Sequence, residues 1–191
     1  NITQISVLND LKITTASTEP LCYMTRGEIK VMATGAGEDY TYQWQESNDS
    51  ITFTDCLSNA NAATYKMAPS VAGTYYYRCV VSPTYGCVSK TSDVITVKVY
   101  EEVTPSIITG ADTICFGFIP EPLTIQTPTL GSDGVFTYAW MQRVDGTSVF
   151  TYIPGATSTT YAPPALSKTT DYKLEITNTC GIYESNIIQV F

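Results

Sequence analysis

Short runs of alternating apolar and polar residues cover most of the chain. In "YTYQW" at 40–44, Tyr40, Tyr42 and Trp44 share one parity, and Thr41 and Gln43 share the other. Alternate residues of a β-strand face opposite sides of a sheet, so this run predicts a strand with one buried and one wet face. Such a strand suits an antiparallel sheet packed on a core. We therefore predict that Tyr42 and Trp44 are core residues.

The same phrase returns as "FTYAW" at 136–140, where Tyr138 and Trp140 repeat the apolar side and are predicted core residues too. Other phrases recur in the same order. "TTASTEPLC" corresponds to "TGADTIC", and "GCVSKTSDVITVKV" corresponds to "CGIYESNIIQVF". Such self-similarity indicates a repeat architecture, with two copies of a unit of about 93 residues.

The repeat predicts two domains, 1–100 and 101–191, joined around "YEEVTP" at 100–105. This acidic, proline-bearing segment is short and has no glycine or serine tract, which indicates a semi-rigid linker. Residues 1–8, "NITQISVL", resemble the closing segment "VITVKVY". They are either an added edge strand or the last strand of a preceding repeat. The absence of an initiator methionine and of a signal-peptide pattern suggests a trimmed product or a fragment.

Turn-rich segments such as "GAGED", "ESNDS" and "SPTYG" separate the apolar alternations of the first copy. The predicted strands are 12–15, 28–33, 40–46, 51–55, 63–67, 74–82 and 93–100. Seven short strands in one copy favour an all-β sandwich with Greek-key connections. A barrel with similar strand spacing is the structural alternative.

Cysteines are repeated in register. Cys22 and Cys87 of the first copy correspond to Cys115 and Cys180 of the second. The economical pairing is therefore Cys22 with Cys87 and Cys115 with Cys180, which predicts disulfide-stapled domains. An even cysteine count repeated in this way points to an oxidising compartment outside the cytosol.

Two further cysteines, Cys56 and Cys79, occur in the first copy only. They form either a third bridge or two buried free thiols that behave as small hydrophobic residues. No cysteine pair has the short C-x-x-C spacing of zinc sites, so no metal site is predicted from the cysteines.

The chain has a net charge of −8, a sequence pI near 4.4 and no histidine. An acidic protein is a poor nucleic-acid binder, so nucleic acid is not an expected partner. The lack of histidine removes Ser-His and Cys-His nucleophiles, imidazole zinc ligands and a histidine base. No run of 18 apolar residues is present, so direct membrane insertion is not expected. We predict no enzyme activity, no catalytic residues and no cofactor.

Several phrases resemble immunoglobulin-like domains. "AGTYYYRCVV" is similar to the region of such domains that leads into strand F and its cysteine, and both tryptophans look like the strand C tryptophan. Two departures stand out: Cys22 precedes the "EIKVMA" strand, and Cys87 follows the strand F segment. A bridge between them would staple one end of the sandwich.

A closer resemblance is to the Ig-like and PKD-like repeats of Bacteroidetes surface and secreted proteins. It is carried by "ICFG" at 114–117, "TYAW" at 137–140, "GATSTTYAPP" at 155–164 and the late Cys180. The resemblance implies a non-catalytic extracellular module of a larger surface or secreted protein, next to other domains of the same chain. Its implied role is adhesion, with a cell-surface protein or glycan as partner. A structural spacer and a carbohydrate-binding accessory module are the alternatives.

No ligand-binding residue is identified by sequence. Recognition is expected on the polar face of the first aromatic strand, Thr41, Gln43 and Gln45, or on loops that the two copies do not share. An acidic group near the junction is a weak calcium candidate, without an EF-hand loop; its members are Glu101, Glu102, Asp10 and Asp112. Two tripeptides, 49–51 and 112–114, look like the Asp-Ser/Thr-aliphatic signal for O-glycosylation in the same bacteria.

Overall fold

A computed structural model of the chain describes residues 8–37, 39–84, 88–110 and 113–191. The chain divides into two compact units, Asn1–Glu101 and Glu102–Phe191. Within the described ranges the regular structure is entirely β-strand. None of the described residues forms a helix that is long and apolar enough to cross a membrane.

The described residues of unit 1 form eight complete strands and the first residue of a ninth. They are β1 Lys12–Ala16, β2 Gly27–Thr34, β3 Tyr40–Ser47, β4 Thr54–Asp55, β5 Thr64–Met67, β6 Gly73–Pro83, β7 Lys90–Thr91 and β8 Ile95–Val99. The strands of unit 2 are β9 Glu101–Thr104, β10 Ile107–Thr109, β11 Leu123–Thr127, β12 Leu130–Ser132, β13 Thr137–Val144, β14 Thr151–Tyr152, β15 Thr160–Tyr161, β16 Thr170–Asn178, β17 Gly181–Glu184 and β18 Ile188–Val190.

Unit 1 is a two-sheet sandwich. One sheet has the order β1-β2-β5, and the other has the order β4-β3-β6-β7, with β8 also paired to β6. The segment before Cys22 crosses to the second sheet, because Leu21 forms a parallel bridge with Val99 of β8. The core between the sheets is formed by alternate residues of the long strands, among them Val31, Trp44 and Val81.

Unit 2 repeats this plan. Its sheets have the orders β10-β11-β15 and β14-β13-β16-β17, with β18 paired to β16. The segment before Cys115 also reaches the last strand, since the Ile114 N–H donates to the Phe191 carbonyl at 3.0 Å. Trp140, Tyr172 and Leu174 are among its fully buried core residues. The predicted all-β fold of two tandem Ig-like sandwiches is confirmed.

Six of the seven predicted strands of the first copy form close to their predicted positions, and the short strand β7 was not predicted. The strand predicted at 51–55 is reduced to Thr54–Asp55. The reason is the Asp49 carboxylate, whose Oδ1 accepts the N–H groups of Ile51 and Thr52, each at 2.8 Å. A side chain that bonds the backbone two or three residues ahead favours a turn over a strand.

The segment predicted to be a linker contains the boundary between the two units, which follows Glu101, but most of it is a strand. Glu101–Thr104 forms strand β9, which pairs with β12 in a two-stranded ribbon. Composition suggested a linker because of Pro105, which lies between β9 and β10. Pro128 interrupts the partner strands β11 and β12 in the same way, and a proline can end a strand pairing without preventing the flanking residues from pairing.

The prediction for residues 1–8 falls almost wholly outside the described residues, which begin at Leu8.

Candidate functional site

Both aromatic phrases lie on central strands. Trp44 on β3 and Trp140 on β13 have 0% exposed surface. Each indole N–H donates to a backbone carbonyl, from Trp44 to Ala62 at 2.8 Å and from Trp140 to Ser158 at 2.9 Å. A buried indole needs such a partner, so neither tryptophan is available to stack on a ligand.

The two predicted core tyrosines, Tyr42 and Tyr138, are half-buried and pack against the edge of their respective cores. Their neighbour Tyr40 is also half-buried, and its hydroxyl lies 2.5 Å from the Gly35 carbonyl and 2.6 Å from the Gly37 carbonyl. This tyrosine therefore holds the preceding turn against the strand.

An aromatic row is conserved between the two units in position and geometry. In unit 1 the ring centroids of Trp44 and Tyr65 lie 5.8 Å apart, and those of Tyr65 and Tyr77 lie 5.6 Å apart. In unit 2 the corresponding distances are 5.9 Å and 5.8 Å, for a row made of Trp140, Tyr161 and Tyr172. Aromatic pairs at these distances stabilise a core beyond their buried area.

The polar face of β3 carries a connected network. The Arg78 Nε donates to Gln45 Oε1 at 2.7 Å, and Gln45 Nε2 donates to Asp55 Oδ1 at 2.8 Å. The Arg78 guanidinium also lies 4.0 Å from the centre of the Phe53 ring. Of the three residues expected to recognise a ligand on this face, Gln45 is thus engaged, Gln43 Nε2 donates to the Trp44 carbonyl at 2.9 Å, and Thr41 remains exposed.

The matching face of unit 2 is equally occupied. Arg143 binds Asp171 through an ion pair of 2.5 Å, and Lys173 binds Glu184 at 2.5 Å. Both cations also lie over the Phe150 ring, at 4.7 Å and 4.5 Å. The charged groups on this face are therefore paired with each other. The sequence did not reveal this network, because the partners come from different strands.

Unit 1 has an open groove of about 1070 Å³ beside strand β5. Its wall along the strand is formed by Lys66 and Met67, and charged groups rim it: Arg26, Glu28 and Glu46. The buried Tyr65 and Tyr77 also line it. The groove therefore combines a few apolar side chains with polar groups and charges of both signs.

Strand β5 is an edge strand of its sheet, because its described pairing is with β2 alone. Tyr65 faces Ile29 in the register, and two residues away the Val31 N–H donates to the Ala63 carbonyl at 2.9 Å. Hydrogen-bonded and non-hydrogen-bonded pairs alternate in an antiparallel ladder, so the Lys66 backbone N–H and C=O point away from β2. Unpaired groups of this kind can receive another strand.

Burial governs the ionisation of the tyrosines under the groove. Removal of the hydroxyl from water raises the pKa of Tyr65, and a hydrogen bond with the Cys56 side chain raises it further. Burial also raises the pKa of Tyr77, with the Glu46 carboxylate as the next contribution. Both hydroxyls stay neutral at physiological pH and can act only as hydrogen-bonding groups.

The third bridge does not form, since Cys56 and Cys79 are both buried free thiols. Cys79 faces Trp44 across β3 and β6, and the Cys56 N–H donates to the Trp44 carbonyl from the other side of β3. The two cysteines are therefore separated by a whole strand, at roughly 10 Å. A disulfide needs Cα atoms within about 7 Å.

The predicted bridge between Cys115 and Cys180 is also wrong, because Cys115 is exposed and carries a free thiol. Cys115 follows Ile114, which is bonded near the Thr170 end of β16, and Cys180 lies in the turn beyond Asn178 at the other end. Those ends are eight residue steps apart, or roughly 26 Å. Sequence equivalence located the cysteines but not the ends of the sandwich on which they lie.

Cys22 and Cys180 are both disulfide-bonded. The predicted pairing of Cys22 with Cys87 involves Cys87, which lies outside the described residues.

The acidic calcium candidate is not assembled by the described residues. Asp10 is bound by Lys90 at 2.6 Å, and this hydrogen bond and charge lower the pKa of the Asp10 carboxyl. Glu101 and Glu102 are exposed on β9, and Asp112 lies outside the described residues. Within the described ranges no three acidic, cysteine or histidine side chains are grouped to hold a metal ion.

Of the two glycosylation candidates, 49–51 is described and exposed. Ser50 adopts a φ of 61° at the tip of the turn held by Asp49. Backbone N–H donors lower the pKa of Asp49 to about 2, so its turn is held by a carboxylate over the whole neutral range. The site at 112–114 begins in an undescribed residue.

A family model with the description Domain of unknown function (DUF8696) matches residues 11–101 and 104–191. The chain belongs to this family. It carries two DUF8696 domains, one in each unit, and they coincide with the two sandwiches described above. No curated protein matches the chain.

The DUF8696 pair is similar in fold to solved structures of tandem modules. The structure of domains A168-A170 from titin matches with a TM-score of 0.55 at 16% identity, over 94% of this chain and 66% of that one. The chain thus spans about two thirds of that fragment, and the likeness concerns the fold alone. Fibronectin(III)-like modules of Clostridium thermocellum CbhA match with a TM-score of 0.39 at 15% identity, over 94% and 92% of the two chains.

Proposed function

We propose that this DUF8696 pair is a non-catalytic, extracellular module of a larger bacterial surface protein, and that it binds a protein partner. The observation that carries the proposal is the groove beside the edge strand β5 of unit 1. The partner contributes an extended segment that pairs with β5 as an additional strand. This is the mode of recognition in which main-chain hydrogen bonds supply affinity and side-chain pockets supply specificity.

The extracellular setting is supported by the disulfide-bonded Cys22 and Cys180, since disulfides persist mainly in oxidising compartments. The resemblance to repeats of Bacteroidetes surface and secreted proteins supports the same setting and the role in adhesion. The Ig-like fold is a common scaffold for such modules but does not fix a function.

A peptide partner fits the groove better than a sugar ring does. Sugars stack on exposed aromatic faces, whereas Tyr65 and Tyr77, which line the groove, are only 9% and 3% exposed. The Lys66 main-chain groups supply the unpaired donor and acceptor that an extended peptide requires. Lys66 and Arg26 offer positive charge, and Glu28 and Glu46 offer negative charge, for side chains on the incoming strand.

A display library of linear peptides, selected on the immobilised chain, tests the proposal. Selected peptides are then measured on two variants, Lys66→Pro and Lys66→Ala. Proline removes the outward N–H and places its ring in the path of the added strand, so affinity falls about tenfold or more. The alanine variant keeps the backbone and retains most of the binding.

Equal affinity for the wild type and the Lys66→Pro variant would refute strand addition at β5. Failure to select any peptide, together with a negative glycan array, would favour a structural spacer. Binding on the glycan array alone would favour the carbohydrate-binding role. Thermal unfolding of both variants checks that the sandwich is intact.

A further inference from the structure

One end of unit 2 carries a reactive group within an apolar surface. Cys115 is exposed with a free thiol, in a turn closed by the Phe118 N–H donating to the Cys115 carbonyl at 3.0 Å. Around it Phe116, Phe118 and Ile119 have 83%, 66% and 70% of their surfaces exposed. Three large apolar side chains in four consecutive positions form a patch of the kind that marks an interaction site.

A cleft of about 380 Å³ opens beside this turn. Ile114, Cys115 and Phe116 form one side of it, and Leu166 forms another. The cleft is mixed in character, since Asp145 and Lys168 also line it. A partner can insert a side chain beside Cys115 and bring a second cysteine into reach.

The repeat supplies an internal comparison for this cysteine. Leu21 is bonded to the last strand of unit 1 through a parallel bridge with Val99, as Ile114 is bonded to Phe191 in unit 2. Cys22 and Cys115 follow those two residues and so occupy equivalent positions at the same end of their sandwiches. Cys22 is disulfide-bonded, whereas Cys115 is free.

Cys180, the second cysteine of unit 2, also differs from Cys115 in its bonding state. Cys180 is disulfide-bonded although Cys115, the other cysteine of its unit, carries a free thiol. It lies in the β16–β17 hairpin turn, at the end of the sandwich opposite Cys115. In unit 2 the two cysteine positions thus lie at opposite ends of the sandwich and are too far apart to pair within the domain.

We propose that Cys115 is an attachment site for another DUF8696 domain, to which it forms a disulfide through that domain's hairpin cysteine, the equivalent of Cys180. Phe116, Phe118 and Ile119 are covered by the attached domain. The contact joins two different ends and is heterologous, so it builds an open chain of domains and not a closed dimer.

The bond forms by oxidation of two thiols. The Cys115 thiolate attacks a small-molecule disulfide such as oxidised glutathione and releases one thiol, and the hairpin thiolate then attacks the mixed disulfide and releases the second. Two protein thiols lose two electrons and two protons, and one small-molecule disulfide is reduced to two thiols. The oxidising compartment supplies this oxidant.

Incubation of the full chain with reduced and oxidised glutathione, followed by non-reducing electrophoresis and peptide mapping, tests the proposal. The expected result is a ladder of multimers in which Cys115 of one copy is joined to Cys87, the sequence equivalent of Cys180, in the next. Cys115→Ser abolishes the ladder. Cys56→Ser, which removes a buried free thiol, leaves it unchanged.

Three results would overturn the proposal. Cys115 recovered only as a thiol or as a glutathione adduct shows that no protein cysteine is presented to it. A Cys115 to Cys115 bond gives a product that stops at the dimer, which is a symmetric contact. A ladder that persists in Cys115→Ser involves other cysteines.

The apolar patch is tested separately with the thiol retained. The double variant Phe116→Ser, Phe118→Ser slows ladder formation severalfold, because the encounter loses its apolar contact, while the melting temperature stays unchanged. An unaltered rate would refute docking on this patch. Lys66→Pro, which lies in unit 1 beside β5, leaves the ladder unaffected, so this proposal and the peptide-binding proposal fail independently.

Discussion

At the scale of single residues, each unit is organised by a tryptophan whose apolar and polar parts are both satisfied. The Trp140 ring is fully buried against Tyr161, and its N–H reaches the Ser158 carbonyl. Trp44 makes the same pair of contacts with Tyr65 and Ala62. The hydrogen bond ties the loop after β4 in unit 1, and the loop after β14 in unit 2, to the core. One side chain therefore fills the core and fixes the position of a loop.

Replacement of Trp140 by phenylalanine removes this donor and part of the buried volume. We expect the free energy of unfolding to fall by about 2–4 kcal/mol, from the unpaired Ser158 carbonyl and the cavity together. Urea unfolding followed by circular dichroism measures it. Val149→Ala, at a position that is 67% exposed, is the control and should change stability little. Equal stability of both variants would contradict the assigned role.

At the scale of elements, the two units share a strand order, but the first strand pair is interrupted in unit 2. Unit 1 has one continuous pair, β1 and β2, whereas the corresponding part of unit 2 is divided into β10 with β11 and β9 with β12. Pro105 and Pro128 lie at the two interruptions. Between them the Ser106 and Thr129 hydroxyls, both buried, are hydrogen-bonded at 2.5 Å, which satisfies polar groups where the ladder is broken.

Gly131 is the residue on which the β9 to β12 ribbon depends. It has a φ of 91°, and a Cβ at this position would lie 2.1 Å from the Glu102 carbonyl oxygen. We expect Gly131→Ala to destabilise unit 2 by more than about 1 kcal/mol and to speed amide exchange in β9, since the backbone must shift.

Gly155→Ala is the matched control for this substitution. Gly155 has a similar φ of 74°, but no atom lies within 4 Å of the Cβ position. The control carries only the conformational cost of a positive φ, about 1 kcal/mol. An equal loss in the two variants, with unchanged exchange in β9, would show that the ribbon tolerates the added methyl group.

At the scale of the whole molecule, we expect the free energy of unfolding to be nearly independent of pH around neutrality, because few side chains titrate there. The chain has no histidine, which is the side chain that ordinarily titrates between pH 5 and 8. Burial raises the pKa of Cys79 from 9.0 to about 11 and that of Tyr172 from 10.0 to about 12. In the unfolded chain these groups ionise at their ordinary pKa values.

Stability should therefore be nearly flat from about pH 6 to 8.5 and fall above pH 9. A raised pKa in the folded state means that the unfolded state releases its proton first, so the stabilisation present below pH 9 is lost progressively as the pH approaches 12. Melting temperatures from pH 6 to 11 measure this profile. A fall between pH 6 and 8, or constant stability to pH 11, would contradict it.

The sequence by itself determined the β-strands, the two tandem sandwiches and the buried tryptophans. These follow from alternation and from a repeat, which are local or register-based signals. Strand β9 was missed because the proline that follows it suggested a linker. The strand predicted at 51–55 is shorter in the structure because the Asp49 side chain holds a turn there. The glutamine and arginine networks on the outer faces were also not predicted, since their partners lie on different strands.

Only the tertiary structure decided which cysteines can meet and which strand edge is open. Cys115 and Cys180, which the sequence predicted to pair, lie near opposite ends of β16, roughly 26 Å apart by strand length. Strand β5 is an edge because no described strand follows it in its sheet. Both facts depend on how strands distant in the chain are arranged in space. Alternation specifies which face of a strand is buried, but it contains no information about strand order or about the end at which a turn lies.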